Sequence, residues 1–202
     1  MQSLINDTYL TLAQPSEGLY KEKGSKFIAL AFPVFSEEDI KQQLAEVRKT
    51  YYDARHHCYA YLLGAAKTVY RANDDGEPNH SAGDPILGQI RSAGLTNVLV
   101  VVIRYFGGIK LGVSGLIQAY REAAAAALAA AETVEKIETA ALSIGFDYGQ
   151  MNAVMSLVKE YKLEVKAQDF ALTCRLEVEV PKNQLPQLRD KVADIGAATL
   201  VA

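Results

Sequence analysis

Val98-Leu99-Val100-Val101-Val102-Ile103, followed at once by Arg104-Tyr105-Phe106-Gly107-Gly108-Ile109-Lys110-Leu111-Gly112-Val113-Ser114-Gly115, decides the fold. Six consecutive apolar residues, most of them β-branched, read as a strand over 97–103 that is buried on both faces. Four glycines within nine positions then give a pliable backbone, fenced by the cations Arg104 and Lys110. Ser114 is the expected N-cap of a helix reaching about Ala131. The alanines at 123–127 favour that helix and keep one face thin enough to sit close to a sheet. Buried strand, glycine loop and helix start in succession are where α/β proteins tend to place ligand contacts.

Outward from this stretch, the upstream chain reads as a mixture of strands and helices. Strands over 18–23 and 26–34 pair through a turn at Gly24-Ser25. Ser36 caps a helix whose first turn, Glu37-Glu38-Asp39, suits the helix dipole, with Ile40, Leu44 and Val47 as its apolar face. A strand over 57–63 ends at Gly64. An acidic turn, Asp74-Asp75-Gly76-Glu77-Pro78, precedes a short helix over 85–93 that stops at Gly94. Charge interrupts the apolar pattern at 132–136, which sets a boundary between a domain over 1–135 and a second over 136–202. The second reads strand (137–148), helix (150–161), strand (163–167), strand (170–180), helix (182–195), strand (198–202), the order of a split βαβ unit. In its third strand Leu172, Cys174, Leu176, Val178 and Val180 face one way and Thr173, Arg175, Glu177 and Glu179 the other. The fold class is α+β.

Composition narrows the function. Half of the 202 residues are hydrophobic and the net charge is −3. Residues 1–135 carry 13 Lys+Arg against 15 Asp+Glu, and residues 136–202 carry 8 against 9. Neither part is basic, so broad attraction to nucleic acid is not encoded and any RNA contact must be local. Two distant cysteines are no disulfide framework. The N-terminus lacks a signal-peptide pattern, and no apolar run approaches the ~20 residues that span a bilayer. A cytoplasmic location with no membrane partner is the expectation.

Three constellations could carry chemistry. The glycine loop lacks both G-x-G-x-x-G and Gly-Lys-Ser/Thr, so nucleotide hydrolysis is not supported; it either contacts a ligand or simply connects strand to helix. Asp74, Asp75 and Glu77 could hold a hard cation, pair with Arg104 or Lys110 across a cleft, or form a plain solvated turn. His56, Cys58 and His80 offer at most three zinc ligands, because His57 projects to the opposite strand face. A Cys58–His dyad and an inert core thiol are the other readings. The open face of the C-terminal sheet carries Lys162, Glu164, Lys166, Arg175, Glu177 and Glu179 but lacks the stacking aromatics of RNA-reading sheets. No metal or cofactor is expected.

The ordered series Asp53-Ala54-Arg55-His56-His57-Cys58-Tyr59-Ala60-Tyr61, Asp74–Pro78, Ala82-Gly83-Asp84-Pro85-Ile86-Leu87 and Arg104–Gly112, followed by Gly115-Leu116 and Ala119-Tyr120, resembles the IMPACT/YigZ family along nearly the whole chain. Val113-Ser114-Gly115 stands where that family often has Thr-Gly-Gly, and Asp84 where it often has Lys. The resemblance implies an N-terminal domain like the second domain of small-subunit ribosomal protein five and a ferredoxin-like C-terminal domain similar to one of elongation factor G. It further implies a non-enzymatic protein that modulates translation by binding RNA, the ribosome or a translation factor, as eukaryotic relatives do by competing for a ribosome-associated activator of a kinase. The binding residues are then expected to be His57, Asp74, Asp75, Gly76, Glu77, Pro78, Arg104, Tyr105, Phe106, Gly107, Gly108, Lys110, Gly112 and Ser114. Alternatives are a small-molecule or phosphate-ester enzyme in the same cleft and a purely protein-binding module.

Overall fold

A computed structural model describes residues 7–170 and 173–200. It is an α+β protein with five α-helices and eleven strands among these residues. The chain divides into two compact units, residues 9–136 and the chain from Ile137 onward joined by Asp7 and Thr8.

The first unit is built on a five-stranded sheet. Its strands are β2 (Ser16–Glu22), β3 (Ser25–Pro33), β4 (His56–Leu63), β5 (Val69–Asn73) and β6 (Val98–Tyr105), in the order β2-β3-β6-β4-β5. Every neighbouring pair is antiparallel. A separate two-stranded sheet joins β1 (Thr8–Leu12) to β7 (Thr133–Ile137). The β2–β3 turn falls at Lys23-Gly24, one residue earlier than expected, because these two residues take φ 45° and 79°. Two left-handed residues match the twist of a two-residue hairpin.

Central β6 carries the apolar run, and alternation sends its side chains into two cores. Val98, Val100 and Val102 join one, with Phe27, Ala29, Cys58 and Leu62. Leu99, Val101 and Ile103 join the other, with Ile28, Tyr59 and Leu63. Helix α1 (Glu37–Thr50) covers the second core through Ile40 and Val47. It starts in a capping box: Asp39 N–H donates to Ser36 Oγ at 3.1 Å, and Ser36 N–H donates to Asp39 Oδ2 at 3.1 Å. Helices α2 (Gly83–Ser92) and α3 (Gly112–Ala129) cover the first core. Ala119, Ala123, Ala124 and Ala127 of α3 are fully buried. The thin face permits backbone contact with the sheet: a Cβ at Gly18 would stand 2.3 Å from the Ala127 nitrogen.

Ser114 does not cap α3. Gly112 takes φ 72° and turns the chain early, so Leu111 occupies the N-cap position and Ser114 lies inside the first turn.

The second unit runs β8 (Thr139–Asp147), α4 (Met151–Glu160), β9 (Glu164–Phe170), β10 (Thr173–Pro181), α5 (Leu185–Asp194) and β11 (Ala198–Leu200), with sheet order β11-β8-β10-β9. All three pairings are antiparallel. Cys174, Leu176, Val178 and Val180 are buried, as the alternation required; Leu172, and Val201 and Ala202 of the last expected strand, lie outside the described residues. The single strand expected from Ile137 is broken at Glu138, whose N–H donates to the Asp7 carbonyl at 2.7 Å and whose carbonyl accepts from Lys182. The outer face of this sheet is laced with exposed ion pairs, Lys166 with Glu164 and Glu179, and Arg175 with Glu177.

Candidate functional site

β4 begins where the antiparallel β6 ends, so His56 stands directly opposite Arg104. Phe27 of β3 flanks Arg104 on the other side. From this end of the sheet, the α1–β4 connection, the acidic turn, the glycine loop and the start of α3 enclose a cleft of about 850 Å³. Its lining runs over residues 53–56, Glu77-Pro78, 104–106, 110–113 and Leu116.

Arg104 is buried for a reason that strand period supplies. It continues the Val98, Val100, Val102 series and so points to the face covered by α2 and α3. A buried guanidinium needs a partner. Nη1 donates to Glu77 Oε1 at 2.6 Å, with the two side chains 9% and 4% exposed. The same Oε1 accepts from the Tyr120 hydroxyl at 2.8 Å. Cys58 Sγ lies 3.3 Å from that hydroxyl and 2.9 Å from the Asp74 carbonyl oxygen. The guanidinium also stacks between Phe27 at 5.5 Å and Phe106 at 5.6 Å. Arg104 is therefore an internal strut as well as a lining residue, not the exposed fence expected from sequence.

Asp74 and Asp75 do not face Arg104 or Lys110. Asp74 accepts from the N–H groups of Ala82 and Gly83 at 2.9 and 2.8 Å, which caps the start of α2, and from His80 N–H at 2.9 Å. Burial works to raise its carboxyl, but the three backbone donors outweigh it and hold the pKa below the ordinary aspartate value. Asp75 accepts from His57 N–H at 2.7 Å and pairs with Arg48 at 3.1 Å. Gly76 and Asp75 supply the turn geometry, with φ 86° and 40°. Glu77 and Pro78 alone carry the acidic turn into the cleft.

His57 belongs elsewhere. It is buried on the α1 face and its Nε2 bonds the Tyr51 carbonyl at 3.0 Å. His56, one residue earlier, lines the cleft instead; its Nδ1 lies 2.9 Å from the Asp75 carbonyl oxygen, which can only accept, so Nδ1–H donates there. In the glycine loop Tyr105, Phe106, Lys110 and Gly112 reach the cleft, whereas Gly107, Gly108 and Ser114 do not line it. Gly107 is a packing residue: a Cβ there would stand 1.9 Å from the Gly24 carbonyl carbon, and its N–H donates to Ser25 Oγ at 3.1 Å. On either side of it Phe106, Ile109, Lys110 and Val113 are exposed.

Sequence reasoning missed Asp53, Ala54, Arg55, His56, Leu111, Val113 and Leu116 as lining residues. The signal available was the antiparallel pairing of β4 with β6, which brings the start of one strand to the end of the other. Tyr105 donates to Asp53 at 2.7 Å, and this bond pushes its phenol up to about 12. Burial likewise pushes the Cys58 thiol and the Tyr120 phenol up. Among the described residues no three His, Cys, Asp or Glu side chains converge to hold a metal ion, and no helix is long and apolar enough to cross a membrane.

The chain is similar to known proteins over a span that contains the cleft. The Impact N-terminal domain matches residues 23–128. An IMPACT family member from Haemophilus influenzae is 30% identical over 181 residues, 89% of this chain and 88% of the relative. The Escherichia coli IMPACT family member YigZ is 30% identical over 196 residues, 96% of each chain. A crystal structure described as that of an hypothetical protein superposes with a TM-score of 0.75 at 29% identity, over 97% of this chain and 98% of that one. With the domain model covering more than half its length, this chain belongs to the IMPACT family.

Proposed function

We propose that this chain is a non-enzymatic binding protein of the translation apparatus, with the cleft of the first unit as its contact surface. The observation that carries the reading is the exposed rim of Phe106, Ile109 and Val113 beside Lys110. Exposed aromatic and aliphatic side chains around a concavity are the usual sign of a partner. Glu77 neutralises Arg104, which leaves Arg55 and Lys110 as the cleft's unpaired Lys or Arg side chains among the described residues. A protein partner therefore fits better than an RNA backbone, which would call for several free cations. The ionisable groups point the same way. Cys58, Tyr120 and Tyr105 are all raised, so each stays protonated near neutral pH, opposite to what a nucleophile or general base requires.

The family resemblance supports a partner in translation. It also supports reading the first unit as like the second domain of small-subunit ribosomal protein five. The second unit, with its β11-β8-β10-β9 order and two helices, fits a ferredoxin-like domain. The test is sedimentation of tagged protein in sucrose gradients of cell lysate at low and high salt. Comigration with ribosomal particles or a translation factor, reduced in Phe106→Ala and Lys110→Ala, is the expected result. Wild-type comigration by both variants would sink the cleft as the contact surface.

A further inference from the structure

Arg104 uses Nη1 on Glu77, yet its Nε is buried and has no acceptor. The residue is 8% exposed and lines the cleft. A buried charged donor without a partner is costly, and native proteins seldom leave one unless something completes it. Three further features lie around it. Lys110 and Arg55 line the same cleft and take part in no ion pair among the described residues. Helix α3 has no side-chain cap, so its first N–H groups, at Gly112 and Val113 on the cleft wall, lack a side-chain acceptor. The remaining wall is apolar, from Pro78, Leu111, Val113 and Leu116. The one opposing carboxylate besides Glu77 is Asp53, already bonded by Tyr105.

We propose that the cleft is a carboxylate-recognition site, taking an apolar group that bears a carboxylate, with the Nε edge of Arg104 and the Lys110 ammonium as donors. The chemistry favours carboxylate because a guanidinium with one nitrogen committed still presents a planar edge that a carboxylate meets with two parallel hydrogen bonds. A singly charged group also suits a cleft whose walls are mostly apolar, where each further charge must be desolvated. Phe106, itself exposed, packs on the guanidinium from the loop and is the apolar contact nearest that group on the solvent side of the cleft. This inference rests on the cleft being the contact surface, and names the group recognised there. The carboxylate can come from an acidic residue of a protein segment or from a free organic acid.

The experiment is nuclear magnetic resonance titration of the full ¹⁵N-labelled chain. The probes are 3-phenylpropionate, its neutral counterpart 3-phenylpropan-1-ol, inorganic phosphate, and the peptide pair Ac-Phe-Glu-Leu-NH₂ and Ac-Phe-Gln-Leu-NH₂. The expected result is a shift of the Arg104 Nε–H together with the amides of residues 105–116. The acid should bind about tenfold tighter than the alcohol, the gain of one charge-assisted pair. Lys110→Gln should erase most of that preference while leaving the alcohol unaffected. Tighter binding of the Glu peptide than of phenylpropionate assigns the carboxylate to a protein segment; the reverse assigns it to a free acid. Equal binding of acid and alcohol, tighter binding of phosphate than of the acid, or amide shifts with an unmoved Arg104 Nε–H overturns the proposal. If carboxylate preference is absent while the protein still comigrates with its partner through Phe106, this inference fails and the contact surface stands. If the preference is present but nothing comigrates, the contact surface fails and the carboxylate site stands.

Discussion

The acidic turn at 74–78 and the glycine loop at 106–112 are both short glycine-bearing connections at one end of the same sheet, but their side chains have opposite fates. The carboxylates of the turn are consumed by the protein: Asp74 by the start of α2, Asp75 by His57 and Arg48, Glu77 by Arg104 and Tyr120. The loop is fixed at Phe106 against Arg104, at Gly107 against Gly24 and at Leu111 against the core, and between these points it presents Ile109 and Lys110 to solvent. A carboxylate is an acceptor with up to four lone-pair sites in a neighbourhood full of unpaired N–H groups, so the fold claims it. An apolar side chain on a loop with no core beneath it is left for a partner.

That contrast breaks most sharply at Glu77 and Arg104. Arg104→Ala leaves a buried carboxylate unpaired and should cost about 3–5 kcal/mol; urea unfolding of the two forms measures it. The paired replacement Glu77→Leu with Arg104→Met should recover most of that loss, because apolar pairs of similar volume often replace buried ion pairs at little cost. If Arg104→Ala unfolds like the wild type, the turn is not consumed by the fold.

The next largest effect separates two adjacent glycines. Gly107→Ala drives a Cβ into the Gly24 backbone and should cost about 2–3 kcal/mol. Gly108→Ala meets open space at φ 91°, so only backbone strain of about 1–2 kcal/mol applies. Chemical denaturation of both variants ranks them, and a reversed order would show that the loop is not pinned at Gly107.

Asp74→Asn keeps an oxygen for the α2 N–H groups but removes the charge and sets an NH2 donor against the His80 N–H, and should lower stability by about 1–2 kcal/mol. It should also flatten an acid limb. The folded carboxyl titrates below its unfolded value of about 3.9, so its contribution is complete above that pH and is lost as pH falls through the folded pKa. Unfolding midpoints followed from pH 6 to pH 2 should converge for the two proteins at the acid end. A constant gap across the range would refute the capping role.

Smallest in stability, and largest in consequence for binding, are Lys110→Ala and Phe106→Ala. Each should stay within about 0.5 kcal/mol of the wild type in unfolding while weakening partner capture. A clear loss of stability in either would mean that the loop, too, is spent on the fold.

Period and capping carried most of the framework. The hairpin of β2 and β3, the Ser36 cap, the two-sided burial of β6 and the alternation in β10 each leave a pattern within a few residues of one another, which sequence displays directly. β5 is different: Val69–Asn73 is exposed over most of its length and is a strand because β4 offers it an edge. Ser114 looked like a cap, but Gly112 at φ 72° began the helix two residues before it. At the site, glycine content and charge marked the loop that reaches the cleft. They could not separate Arg104 from Lys110, because burial of Arg104 follows from which face of β6 the helices cover. The α1–β4 residues were missed for the same reason, since strand order places them there.

The contact between Gly18 and Ala127 works like a fulcrum. It sits near the C-terminal end of α3, fifteen residues from Gly112, or about 22 Å at 1.5 Å per residue. Backbone rests on backbone there, with no side chain to give. A wedge the size of one methyl group at Gly18 would tilt the whole rod, and the displacement would be greatest at the opposite tip, where Gly112 and Val113 form one wall of the cleft. A substitution on an edge strand would thus be felt at the cleft, through a helix that transmits it.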